Sequence, residues 1–270
     1  MTGESSMGRP EIELYTLGGA FGMRSVSPFC LKLEMLLVHL ELDYTLVIEP
    51  DPRKAPKGKM PWAKIDGEVF ADSEIIIEVI DGRTGGLVYA GLTPQERAYG
   101  LGLVRLAEEH LYWLMAVARW LDDDWWPNVK RDFMKIIPAV IRTPVSSLIR
   151  RRMKQTVALQ GLGAHTPEEQ LGFARRDLTA LQDAVSESRF LFGDKVSVFD
   201  IAIAAIMAGI YDNQPATRLT QIASEFSVLE AYTDDVQRVV GVFGRSDQDN
   251  RVRAELDMGD GGPSRVSPGF

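Results

Sequence analysis

Ser27-Pro28-Phe29-Cys30 follows an apolar strand-like run, Glu11 to Leu17, and a glycine-containing loop. Proline suits a first helical turn, where its missing N–H has no intrahelical partner, and serine suits the N-cap before it. Such a helix start points free N–H groups and a partial positive charge outward, which favours a thiolate over a thiol. Ser27 is therefore read as a hydroxyl placed to hold a reactive sulfur, although a plain cap has the same signature. Two further helix or strand starts have similar double readings. Met60-Pro61 opens a strand after a basic loop, where a cis peptide would turn the preceding backbone outward to pair with an extended ligand. Asp72-Ser73 opens a helix, where hydroxyl and amides can cap the helix or take a ligand carboxylate while the acid takes an ammonium.

The elements that must position these residues alternate in the first third of the chain. A strand at Glu11 to Leu17, a helix at Pro28 to Leu42 and a strand at Tyr44 to Ile48 imply a parallel pair with a right-handed crossover. The stretch Glu49 to Met60 holds three prolines and Gly58 and reads as a loop, made cationic by Arg53, Lys54, Lys57 and Lys59. Pro61 to Ile65 and Glu68 to Phe70 read as a hairpin about Asp66-Gly67, and Asp72 to Asp81 as a helix stopping before Gly82. The glycine-rich stretch from Gly82 to Leu92 reads as a linker.

After about Thr93 the pattern is helical. Pro94 to Asp123 is expected as one long helix, a second begins near Pro127 with breaks at Pro138 and Pro144, and a third spans Pro167 to Ser188. Ser197 to Tyr211 is apolar on every side and should lie at the centre of the helical part, with Ser197 and Asp200 forming a capping box. Beyond Phe243 the chain turns polar and glycine-rich and is expected to be a flexible tail over 244–270.

The 270 residues are 45% hydrophobic and 25% charged, with net charge -8 and a single cysteine. One cysteine excludes an internal disulfide and a thiolate cluster, and three scattered histidines make a metal site improbable. The acidic balance argues against nucleic acid. No run approaches the roughly 20 apolar residues of a membrane span, and the polar N-terminus lacks a signal-peptide core, so a cytoplasmic location is expected.

In combination, the strand, the Ser-Pro-x-Cys helix start, the proline-led hairpin and the Asp-Ser helix start resemble the thioredoxin-fold domain of the glutathione transferase superfamily. Ser197-Val198-Phe199-Asp200 resembles the capping box of that family's helical domain. The Ser27 to Glu34 segment, the abbreviated Lys57 to Pro61 loop and the Glu109 to Trp113 stretch with Arg119-Trp120 resemble its Fax/metaxin-like branch. The resemblance implies an α/β thioredoxin-like domain over 10–86, an all-α domain over 93–243 and a homodimer. It implies glutathione as co-substrate, with Ser27 at the sulfur, Met60 and Pro61 at the cysteinyl backbone and Asp72 with Ser73 at the γ-glutamyl end. Lys59 or Lys57 would take the glycyl carboxylate, since the family's helix between the second and third strands is missing here.

The expected activity is attack of the thiolate on a small hydrophobic electrophile. Glutathione-dependent isomerisation or reductive cleavage, and a non-catalytic binding or scaffold role, are the alternatives. Lowering a bound thiol's pKa by ~2 units, about 2.7 kcal/mol, makes thiolate the main species near neutral pH. Cys30 stands where thioredoxin-like proteins carry a resolving cysteine, and with Ser27 in the leading place it is expected to be buried and inert. The electrophile pocket is expected between the domains, lined by Tyr15, Tyr112, Trp113, Arg119 and Trp120. Core packing is the simpler role for such large side chains, and Arg119 has Asp122 and Asp123 nearby as alternative partners.

Overall fold

Ile12, Leu14 and Thr16 are buried while Glu13 and Tyr15 are half-exposed, the period-two alternation of a strand with one face on a core. In the computed structural model, which describes residues 9–246 and 264–266, this is β1 (Ile12–Thr16). It is followed by α1 (Pro28–His39) and β2 (Tyr44–Ile48), and β1 and β2 pair in parallel with Leu14 opposite Leu46. The loop from Glu49 to Met60 holds only a three-residue 3-10 turn, Pro52–Lys54. Next come β3 (Trp62–Ile65) and β4 (Glu68–Ala71), an antiparallel hairpin. Asp66 and Gly67 at its turn both have positive φ, 51° and 82°, as the tightest two-residue turn demands. A last strand, β5 (Ser264–Val266), lies antiparallel on β2 and completes the order β4-β3-β1-β2-β5. Apart from this strand and the stretch up to Ser246, the tail expected to be flexible lies outside the described residues.

Helix α2 (Ser73–Arg83) continues through Gly82, contrary to the expected stop. Its end is made two residues later, where the Thr84 hydroxyl donates to the Ile80 carbonyl at 2.7 Å and Gly86, at φ 90°, donates to the Asp81 carbonyl. The long helix expected from Pro94 is present as α3 (Pro94–Arg105), a π turn over Leu106–Leu111, and α4 (Tyr112–Trp120). A short turn, α5 (Trp126–Asn128), leads through irregular helical turns to α6 (Ala139–Gln160). Pro138 precedes α6 as expected, but Pro144 lies inside it and does not break it. The carbonyl that Pro144 leaves without an amide partner belongs to Val140, which is 93% exposed and open to water.

Helices α7 (Pro167–Val185), α8 (Val198–Tyr211), α9 (Arg218–Ala223) and α10 (Ser227–Val240) complete the helical part. All of α8 except Tyr211 is buried. Its capping box forms as expected: Ser197 donates its amide to Asp200 Oδ2 at 2.8 Å, while Asp200 Oδ1 accepts from the Leu191 amide and the Tyr232 hydroxyl. The Asp200 carboxylate and the Ser197 side chain at this buried helix start are thus both satisfied. Helix α8 packs against α1, which is why α1 is apolar nearly all round: one side faces the sheet and the other the helical domain. The architecture is a thioredoxin-like mixed sheet with its helices, joined to an all-helical domain.

Candidate functional site

A cavity of about 540 Å³ opens between the sheet domain and the α3–α4 helix. It falls within the ~300–1,000 Å³ of small-molecule sites. Ser27 forms part of its floor. The Ser27 backbone is extended (φ -105°, ψ 116°) and its hydroxyl oxygen accepts from the Cys30 amide at 3.4 Å, a long N-cap bond. A hydroxyl donates as well as accepts, so the Ser27 proton can be given to an acceptor in the cavity.

Cys30 points away from solvent, 1% exposed, and burial pushes its thiol up to about 11, outweighing hydrogen bonds from Leu17, Ser27 and Ser25. It is neutral at physiological pH, as its expected inert role requires.

Met60 and Pro61, joined by a cis peptide, line one side, with Lys57 and Lys59 exposed at the rim. Asp72 and Ser73 line the same side. Asp72 has φ 97°, a conformation that non-glycine residues seldom hold, and its carboxylate accepts from the Glu74 amide at 3.0 Å. Ser73 is buried at the first position of α2, yet its hydroxyl has no hydrogen-bond partner among the described residues.

The opposite wall is one stripe of the α3–α4 helix: Arg105, Glu108, Glu109, Tyr112, Trp113 and Ala116, continued by Arg119 and Trp120. These follow the three- and four-residue spacing of a helix face, with the π turn in its middle. Tyr112, Trp113 and Trp120 therefore face the cavity as well as packing on the core. Phe133, Met153 and Thr156 close the far side.

Two expectations are corrected. Tyr15 is not in the pocket. It alternates with the buried Leu14 and so lies on the opposite face of β1, stacked on Trp62 at 3.6 Å and donating to Glu13 at 2.6 Å. Arg119 pairs with neither Asp122 nor Asp123, which meet Arg218 and Arg150 instead. Arg119 is buried, donating from Nε to Asn213 Oδ1 at 2.7 Å, from Nη1 to the Val26 carbonyl at 3.2 Å, and from Nη2 to the Gly209 carbonyl and Met23 Sδ. Burial lowers its pKa to about 10, so it remains a cation at neutral pH. Four of its five N–H groups are engaged inside the fold, so it braces the site more than it presents its charge to an acidic substrate.

Two ion pairs at the site were missed. Lys32 on α1 meets Glu108 at 2.6 Å, with both side chains buried. Burial raises the Glu108 carboxyl, and Lys32 opposes that rise. Glu74 on α2 takes Arg105 of α3 through both guanidinium nitrogens, with Nη2 to Oε2 at 2.8 Å. Each joins the sheet domain to the helical one. The helical spacing of residues 105, 108, 109 and 112 was the available signal, but their partners 31 and 76 residues away were not legible.

Residues 28–125 match the glutathione S-transferase N-terminal domain family, and residues 174–236 match the glutathione S-transferase C-terminal domain family. The chain is 31% identical over 214 residues to an isoprene-epoxide glutathione S-transferase of Rhodococcus sp. strain AD45, covering 74% of this chain and 87% of that protein. It is 28% identical over 212 residues to Failed axon connections of Drosophila melanogaster, covering 74% of this chain but only half of that longer protein. Among solved structures, a glutathione S-transferase of Ceriporiopsis subvermispora in complex with glutathione superposes with TM-score 0.54 at 16% identity, covering 82% of this chain and 97% of that one. A glutathione S-transferase of Methylobacillus flagellatus with glutathione bound gives TM-score 0.51 at 15% identity, covering 83% and 98%.

Proposed function

Since the chain belongs to the glutathione S-transferase superfamily, in its Fax-like branch, we propose that it activates the thiol of glutathione for attack on a small hydrophobic electrophile. The observation that carries this reading is the convergence of Ser27, Met60-Pro61 and Asp72-Ser73 on one cavity, facing an aromatic helix wall. Glutathione would lie along the sheet-domain side. The Ser73 hydroxyl and the start of α2 would take the γ-glutamyl carboxylate, Asp72 its ammonium, and the backbone of Met60 the cysteinyl unit. Lys59 and Lys57 at the rim supply positive charge for the glycyl carboxylate.

The sulfur would then sit at the N-terminus of α1, where the Ser27 hydroxyl donates to the thiolate and the helix dipole favours its charge. The thiol proton leaves to water, the sulfur forms a bond to the electrophilic carbon, and the bond from that carbon to its leaving atom breaks. Tyr112 lies on the far wall, and its hydroxyl has no hydrogen-bond partner among the described residues. Burial raises its pKa, so it stays a proton donor across the physiological range. A phenol there suits an electrophile whose carbon–oxygen bond opens, because the departing oxygen must be protonated. The similarity to an isoprene-epoxide transferase supports an epoxide as the electrophile class.

The domain limits 10–86 and 93–243, a homodimeric state and a cytoplasmic location belong to the same proposal. A binding role without turnover is the second reading, supported by the short Glu49 to Met60 loop, which carries a single 3-10 turn where a helix would complete the ligand clamp. Retention on immobilised glutathione tests the site. Elution by free glutathione is expected, and failure to bind at millimolar ligand would sink both enzyme readings. A protein that binds but neither conjugates electrophiles nor carries out glutathione-dependent isomerisation or reductive cleavage leaves the binding role.

A further inference from the structure

The chain has net charge -8, yet residues 133–167 contain no Asp or Glu and six cations: Lys135, Arg142, Arg150, Arg151, Arg152 and Lys154. Helix α6 lies within this stretch and has two unlike faces. Its inner face walls the cavity through Met153 and Thr156, while Arg150 donates to the carbonyls of Trp120 and Leu121. On its outer face Ile141, Leu148, Arg152 and Leu159 recur at helical spacing along one stripe, with Val140 and Arg151 beside them. Val140 and Leu159 are 93% and 89% exposed, and Ile141 and Leu148 about half. Arg151, Arg152 and Lys154 are exposed and have no ion pair or hydrogen bond among the described residues.

Apolar side chains in water, accompanied along the helix by free cations and by no carboxylate of its own, are the composition of a helix that lies in the headgroup plane of a membrane; the one carboxylate paired to α6, Asp123, meets Arg150 on its inner side. A second copy of this chain fits less well, because an isologous contact would set cation against cation. The stripe lies on the solvent side of a single helix, a ridge that suits a broad surface better than an extended peptide. We propose that the outer face of α6 docks on an anionic lipid bilayer. Val140, Ile141, Leu148 and Leu159 would enter the acyl boundary, with Arg151, Arg152 and Lys154 at the headgroup phosphates. The same helix then separates membrane from cavity by its own thickness, so an apolar electrophile dissolved in lipid has a short route to the site. That delivery consequence rests on the transferase reading, whereas the docking does not.

Co-sedimentation of the full chain with vesicles tests the docking. Binding is expected to phosphatidylcholine vesicles carrying about 30% phosphatidylserine, to fall sharply between ~0.05 and ~0.5 M salt, and to be absent on phosphatidylcholine alone. The triple variant Arg151→Glu, Arg152→Glu, Lys154→Glu should lose at least ~tenfold in partition while its retention on immobilised glutathione is unchanged. Val140→Ser with Leu159→Ser keeps every charge and should lose several-fold, which distinguishes insertion from adsorption by charge alone. Equal binding to neutral and anionic vesicles, equal partition of the wild type and either variant, or a charge variant that changes the sedimentation of the lipid-free protein would each overturn the proposal. Loss of glutathione retention by the wild type would overturn only the transferase reading.

Discussion

Arg119 Nη1 donates to the carbonyl of Val26 at 3.2 Å, so a buried guanidinium on the helix wall holds the residue that precedes Ser27. The same guanidinium reaches Gly209 of α8 and Asn213 just beyond it. The position of the candidate sulfur-binding hydroxyl is thereby tied to the most buried helix of the molecule. Replacing Arg119 by Met leaves several buried acceptors without a donor and should cost at least about 2 kcal/mol in urea unfolding. Arg119→Lys keeps the charge but loses the fork and should fall between. A Met variant within ~0.5 kcal/mol of wild type would show that the brace carries little.

Ser27→Ala separates cap from catalyst. The cap bond is long, at 3.4 Å, so the stability loss should lie near the low end of the capping range, about 0.5 kcal/mol. If Ser27 holds the thiolate, the pKa of the bound thiol rises and the rising limb of kcat/KM moves to higher pH, while turnover at high pH recovers in part. An unmoved profile would reduce Ser27 to a cap.

Cys30→Ala should retain glutathione binding, and the wild-type thiol should resist aromatic disulfide reagents until the protein unfolds. The folded thiol titrates near 11 against an ordinary 9.0, so between those values the folded state keeps a proton that the unfolded chain releases. Its stabilising contribution is present below pH 9 and is lost as pH rises toward 11, by about 2–3 kcal/mol in total. Unfolding free energies at pH 8 and 11 should therefore diverge less in Cys30→Ala than in wild type. An equal divergence would show that other groups carry the alkaline loss.

Lys32 and Glu108 form a buried pair, with 2% and 4% of their side-chain surface exposed. Removing one partner, as in Lys32→Met or Glu108→Leu alone, leaves an uncompensated buried group and should cost about 3–5 kcal/mol, whereas Lys32→Met with Glu108→Leu together should recover most of it. Thermal unfolding of the two singles and the double closes the cycle. Strictly additive losses would contradict the pairing.

Tyr112→Phe should slow conjugation of an epoxide, by about 10²-fold for a lost general acid, and leave reaction with an aryl halide near wild type. Equal loss on both substrates would indicate a packing role, consistent with its edge-to-face contact with Phe29.

Much of the site was legible because its signals are local. Proline with serine at a helix start, Asp-Gly between apolar runs, and Ser-x-x-Asp before an apolar helix each specify backbone geometry within four residues. Tyr15 was misplaced because an aromatic on a strand can face either way, and only the burial of Leu14 settles which. Pro144 misled for the opposite reason: a strong local signal yielded where its lost hydrogen bond lay on a solvent-facing turn.

The amino-acid order by itself determined the element types, the order of the two domains and the helix starts at Ser27, Asp72 and Ser197, since capping, turn chemistry and periodicity act over one or two turns. Only the tertiary structure decided which groups meet across the cavity. The pairs Lys32–Glu108, Glu74–Arg105 and Arg119–Val26 join residues from 31 to 93 positions apart. Their partners are selected by packing of α1 and α2 against the helical domain, and no local spacing encodes that contact.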